Sequence, residues 1–242
     1  MANWKGCGGY LSREIAILDG STGLTRTFDD YYKSTIGLAG SFKYELGVNE
    51  TSTVCLFAPN HVDFLPVTLA VGLCGAKMTP VNPLYKPNEL QLILDKSHST
   101  VLVAHPSTLD VALEAAKNAK YIKHIVLMTE FDEAPPEGVI TLNSIKKHDK
   151  AFQTTVRRRH PHTDAHPYVL PYSSGTTGMP KGVCLTHANL TANLLQLEEV
   201  EGIGFAPVSV MSKNNVSISL LVPCACANSL QNNSSPLIRI TN

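Results

Sequence analysis

Between Thr53 and Met128 short apolar runs alternate with stretches of helical period, and that alternation restricts the chain to few architectures. Val54 to Ala58 is an apolar run ended by Pro59-Asn60. Residues 61 to 75 follow as an apolar helix, in which Pro66 either kinks the helix or moves its start. Lys77 to Asn82 reads as the next strand, Pro83 to Pro87 as a loop and Glu89 to Lys96 as a helix. Thr100 to Ala104 is a strand, Thr108 to Ala119 an alanine-rich helix and His124 to Met128 a further strand. Strands apolar on both faces and separated by helices predict an α/β fold, a doubly wound, largely parallel sheet with helices on both faces.

The flanking segments extend the pattern. Ile15 to Leu18 and Thr25 to Phe28 enclose Asp19-Gly20-Ser21-Thr22-Gly23, which predicts a hairpin with a glycine-rich turn. Thr27 with Asp30 is a variant of the capping box, and Ile36, Ala39, Phe42 and Leu46 recur at helical spacing up to Gly47. These residues predict a surface helix with one buried face. Glu130 to Gly138 reads as a loop. Farther on, Tyr168 to Tyr172 and Val183 to Leu185 read as strands, and Thr186 caps a helix from His187 to about Glu201 with Leu190, Leu194, Leu197 and Val200 on one face.

The run from Leu170 to Lys181, Leu-Pro-Tyr-Ser-Ser-Gly-Thr-Thr-Gly-Met-Pro-Lys, carries the chemistry. Short side chains let backbone N–H groups converge, and a nest of such donors suits a phosphate. Ser173, Ser174, Thr176 and Thr177 add hydroxyls, Gly175 and Gly178 permit positive φ, and Lys181 adds a charge. The run is not a Walker A loop, because Pro180 stands where that pattern needs glycine. A Ser/Thr/Gly cluster is ordinarily a surface loop; here the strands on both sides and the capped helix beyond argue for a phosphate cradle.

Composition bounds the rest. The chain has 242 residues, 43% hydrophobic and 17% charged, with a formal net charge of zero. That is enough to bury a full core, and it gives no reason to expect nucleic acid as a partner. The longest apolar run, Phe64 to Ala76, is too short for a transmembrane segment. Six cysteines without framework spacing point to a reducing intracellular setting, and the first fifteen residues lack a signal-peptide core. Arg157-Arg158-Arg159 reads as a solvated approach to the next strand, since no aromatic residues interleave with it. His160, His162 and His166 are flanked by Pro161 and Pro167 and make a poor metal site; the expected metal set is none. The Cys224-Ala225-Cys226 pair reads as incidental.

Position for position, Leu170 to Lys181 resembles the AMP-binding signature of the adenylate-forming superfamily. Ile17-Leu18-Asp19-Gly20, Val54 to Asn60, Val81-Asn82-Pro83 and Lys181 to Asn189 resemble segments of 4-coumarate–CoA ligase-like acyl- and aryl-CoA synthetases, so the likeness covers about residues 14 to 207. The resemblance implies ATP, Mg2+ and CoA as cofactor and co-substrates, and a fatty or aromatic carboxylic acid as substrate. It assigns Ser173, Ser174, Gly175, Thr176, Thr177, Gly178 and Lys181 to the β- and γ-phosphates of ATP. By default it implies the cytoplasm, with the peroxisome as an alternative for a full-length form.

The resemblance also has an edge. The magnesium-holding aromatic motif, the ribose-binding aspartate, the hinge and the lid with its catalytic lysine find no counterpart here, so no catalytic set is complete. Residues 1–207 are expected to form the first part of an adenylation domain. Residues 208–242 hold seven serines, six asparagines and no acidic, aromatic or glycine residue, and are expected to be a divergent tail, disordered or artefactual. Three readings follow: part of a carboxylate–CoA ligase; a non-catalytic fragment that binds phosphate weakly; or a luciferase-like or peptide-synthetase adenylation unit.

Overall fold

In the computed structural model, residues 15–20, 23–128, 134–145, 166–173, 180–201, 209–211 and 239–241 are described. Strands β1 (Ile15–Asp19) and β2 (Thr25–Thr27) form the expected antiparallel hairpin. Gly23 at φ 76° supports its turn, a left-handed conformation open to glycine. Helix α1 (Phe28–Tyr44) starts at a complete capping box: Asp30 N–H donates to Thr27 Oγ1 at 3.1 Å, and Thr27 N–H donates to Asp30 Oδ2 at 2.9 Å.

The expectation of a surface helix with a single buried face fails for α1. Every residue from Thr35 to Phe42 is buried, because α1 is covered on more than one side. It packs on α2 (Phe64–Leu73) and on the short helix α5 (Leu142–Ile145), to whose Ile145 carbonyl Ser41 Oγ donates. Small residues at Gly37, Ala39, Gly40 and Ser41 suit such close packing, while Ile36, Leu38 and Phe42 fill the core.

The central sheet is built from β3 (Thr53–Phe57), β4 (Lys77–Val81), β5 (Ser99–Ala104), β6 (His124–Leu127) and β7 (Val139–Thr141). They lie in the order β4-β3-β5-β6-β7, all parallel. Crossovers run through α2, then α3 (Pro87–Ser97), then α4 (Leu109–Asn118). Successive side chains of a strand face opposite ways. Val54, Leu56 and Ala58 accordingly join a core with α1, α2 and α5, while Cys55 and Phe57 join a second core with α3 and α4. Helices thus cover both faces, and the direction of winding reverses between β3 and β5.

Two prolines within this frame are accommodated by position. Pro66 moves the start of α2 to Phe64, so the proline falls in the first turn, where a missing N–H costs nothing. Pro80 lies inside β4. The Met78 carbonyl accepts from Leu170 N–H, so by alternation Pro80 faces the same outer side, past the point where pairing with the next strand stops.

Beyond β4 the sheet turns antiparallel. Strand β8 (Pro167–Val169) runs parallel to β4, and β10 (Lys181–Thr186) runs antiparallel to β8 and to β9 (Tyr172–Ser173). Thr186 caps α6 (His187–Glu201), Asn189 N–H donating to Thr186 Oγ1 at 3.2 Å. Within the span 208–242, β11 (Ser209–Met211) pairs parallel to β1 and β12 (Arg239–Thr241) pairs antiparallel to β10. Leu194, Leu197 and Val200 have backbone positions in α6 but side chains outside the description.

Candidate phosphate-binding site

Two strands hold the two ends of the glycine-rich run. β9 ends at Ser173 and β10 begins at Lys181, and these residues are direct partners in the antiparallel register, with Gly182 opposite Tyr172 behind them. Ser174, Gly175, Thr176, Thr177 and Gly178 lie outside the described residues. The single strand expected from Tyr168 to Tyr172 is divided at Leu170-Pro171, because proline has no N–H for the ladder. The return strand starts at Lys181, two residues before the Val183 expected from hydrophobicity, since backbone pairing needs no apolar side chain.

The neck of this hairpin is tied to the sheet. Leu170 N–H donates to the Met78 carbonyl at 2.8 Å, and Thr79 Oγ1, fully buried, donates to the Leu170 carbonyl at 2.7 Å. Val183 N–H donates to the Pro171 carbonyl at 2.9 Å and bridges the proline break. On the far side, Lys96 Nζ on α3 donates to the Pro180 carbonyl at 3.1 Å. Ser173 is exposed and Lys181 half-exposed, so a hydroxyl and an ammonium stand at the open end. Partners in direct opposition project to one face of the ladder. That arrangement suits a polyanion held between them.

A second support lies behind β10. The Tyr168 ring stacks on His187 with centroids 4.2 Å apart, and its hydroxyl donates to the Thr68 carbonyl of α2 at 2.7 Å. Burial pushes the Tyr168 phenol well above its ordinary range. A Cβ on Gly72 would come within 2.8 Å of the Tyr168 ring, so glycine is what lets α2 approach β8 this closely. His166, the described member of the histidine series, bonds through Nε2 to the Gly75 carbonyl; His160, His162 and Arg157 to Arg159 lie outside the described residues.

Sequence reasoning passed over the polar groups where the winding reverses. His61 follows β3 and His105 follows β5, their rings 5.5 Å apart. Each accepts at Nδ1 a backbone N–H two residues on, from Asp63 and from Ser107, both at 3.1 Å. Burial, and then His61, holds the His105 imidazole below its usual range. The signal was a histidine just past the end of each of two adjacent parallel strands. Among the described residues no group of three His, Cys, Asp or Glu side chains converges, so no residue here is assigned to Mg2+. No described helix is long and apolar enough to cross a membrane. Cys55 and Cys74 are buried as expected, while Cys184 is only half-buried.

The fold is a doubly wound α/β sheet with a hairpin-mounted, glycine-rich loop at its antiparallel margin. The chain belongs to the AMP-binding enzyme family, whose match covers residues 10–238. It is 33% identical over 190 residues to a 4-coumarate–CoA ligase of Pinus taeda, covering 77% of this chain and 32% of that protein. To 4-coumarate–CoA ligase 3 of Arabidopsis thaliana it is 28% identical over 213 residues, covering 87% of this chain and 35% of the relative. The chain thus spans about a third of the length of these relatives. Among solved structures, a long-chain-fatty-acid–CoA ligase from Archaeoglobus fulgidus aligns with a TM-score of 0.66 at 26% identity, covering 78% of this chain and 37% of the other. An anthranilate CoA ligase in complex with anthranoyl-AMP aligns with a TM-score of 0.65 at 23% identity, covering 80% and 34%, which speaks for the fold.

Proposed function

We propose that this chain is part of an ATP-dependent carboxylate–CoA ligase, and that the loop from Ser173 to Lys181 receives the β- and γ-phosphates of ATP. The observation that carries the reading is the register of the hairpin, with Lys181 facing Ser173 across the neck. In the proposed chemistry a carboxylate oxygen attacks the α-phosphorus, a new O–P bond forms, and pyrophosphate leaves with its charge. The acyl group then passes to the thiol of CoA and AMP leaves. Donors fixed in advance at the leaving group stabilise developing charge without reorganising. Lys181 supplies a full charge, Ser173, Ser174, Thr176 and Thr177 supply hydroxyls, and Gly175 and Gly178 allow backbone approach. A fatty or aromatic acid is the proposed substrate class.

Titration of the chain with Mg2+ and ATP tests the site. Lys181→Ala should weaken binding by about ten- to a hundredfold, since a hydrogen bond to a charged group contributes about 1.5–3 kcal/mol. Thr176→Ala should weaken it less. Equal binding by the wild type and Lys181→Ala would end the phosphate assignment.

A second reading is favoured by one fact, that the chain spans about a third of its relatives. Under it, the 242-residue chain binds nucleotide weakly and does not form an acyl-adenylate. Carboxylate-dependent exchange of labelled pyrophosphate into ATP separates the two. Exchange at the blank level with ATP bound supports the second; exchange lost on Lys181→Ala supports the first. The boundary at 207 is likewise proposed. The family match to residue 238 and the pairing of β11 and β12 weigh against it. A 1–207 truncation with an unchanged urea midpoint would support it.

A further inference from the structure

One peptide leads from the glycine-rich run into Lys181. That peptide begins at Pro180, which has no N–H and so no ladder donor of its own. Its carbonyl accepts from Lys96 Nζ at 3.1 Å, a contact between residues 84 positions apart. Among the described residues this carbonyl is the one acceptor of the Lys96 ammonium. Lys96 is half-buried in the last turn of α3, and α3 itself is fixed. Leu90, Ile93 and Leu94 are buried in the second core, and the neighbouring Asp95 Oδ1 accepts from Lys120 N–H at 2.8 Å.

We infer that Lys96 is a positioning residue: it clamps the Pro180 carbonyl and thereby sets the orientation of Lys181 at the mouth of the phosphate loop. The inference deepens the phosphate-loop reading and rests on it for its functional meaning. A peptide plane has one soft dihedral on each side, so fixing the Pro180 carbonyl fixes the direction from which the Lys181 chain continues. On the other arm Thr79 and Met78 hold Leu170 to β4. With both arms held, the anion meets a lysine and a serine already opposed, and less ordering is left for binding. The Lys96 ammonium adds a second positive charge one peptide from Lys181, which favours the same polyanion.

Hydrogen exchange of the unliganded chain, followed by titration with Mg2+ and ATP, tests this. Lys96→Met keeps the stem and removes the donor; Lys96→Arg keeps donor and charge. In Lys96→Met the amides of Tyr172, Ser173 and Lys181 to Val183 should exchange about tenfold faster, as expected for loss of a charge-assisted hydrogen bond, with α3 and β5 unchanged. ATP affinity should fall by about tenfold, and Lys96→Arg should restore both. Unchanged exchange at Tyr172, Ser173 and Lys181 to Val183 in Lys96→Met would overturn the inference. So would faster exchange spread across α3 and β5, which marks a role in the helix alone. Local loosening in Lys96→Met, with no ATP bound even by the wild type, would support the clamp and overturn the phosphate-loop reading.

Discussion

Ser173 and Lys181 face each other as direct partners across the antiparallel pair β9–β10, one at the end of its strand and the other at the start. Seven residues leave one and return at the other. A cation and a hydroxyl at that neck are set by backbone pairing, independent of the loop's own conformation.

Because Lys181 contributes to the ladder through its backbone and is half-exposed, Lys181→Ala should leave stability within about 0.5 kcal/mol of wild type. Urea unfolding of the variant checks this. A large loss of midpoint would make Lys181 a structural residue and confound any loss of ATP binding.

Thr79→Val should destabilise the chain by about 1–3 kcal/mol, since it leaves the Leu170 carbonyl without its buried donor. The change is nearly isosteric, so packing contributes little. Faster exchange at Val169 and Leu170, with β3–β5 pairing intact, is the accompanying signature.

Gly72→Ala should cost about 1–3 kcal/mol by overpacking. The intruding methyl meets a ring fixed by a hydrogen bond to Thr68 and a stack on His187, so the ring cannot swing aside. In a Tyr168→Leu background the added cost of Gly72→Ala should shrink. Additive losses in the double variant would place the strain elsewhere.

Acid should weaken the fold through His105. Burial, then His61, lowers its folded pKa from the ordinary 6.5, so the unfolded chain binds the proton more readily. Stability from this group is complete above about pH 6.5 and is lost as pH falls through the lowered value. His105→Asn keeps a side-chain acceptor for Ser107 N–H and removes the titration. Urea midpoints at several pH values should show a flatter profile in the variant over that range.

Much of this arrangement was legible in the sequence. The capping pair Thr27–Asp30, the cap at Thr186, the turn glycine at 23 and the strands from Val54 to Leu127 rest on neighbours a few residues apart, which a linear reading contains. β7 was passed over. Three residues, Val139-Ile140-Thr141, are too short a run to show a period, and only the open edge of β6 makes them a strand.

The sequence by itself determined the α/β alternation, the apolar faces and the hydroxyl-, glycine- and lysine-bearing run, because local period and side-chain chemistry are properties of adjacent residues. Only the tertiary structure decided that α1 is buried on every side from Thr35 to Phe42, that Pro80 lies past the end of the β4–β8 pairing, and that Lys96 reaches Pro180. It also decided that β8 lies between β4 and β10, which turns a parallel sheet antiparallel at the loop. These depend on strand order and on contacts between residues as far apart as Ser41 and Ile145. Such contacts form where they offset the entropy of closing the intervening chain, and no local period records that balance.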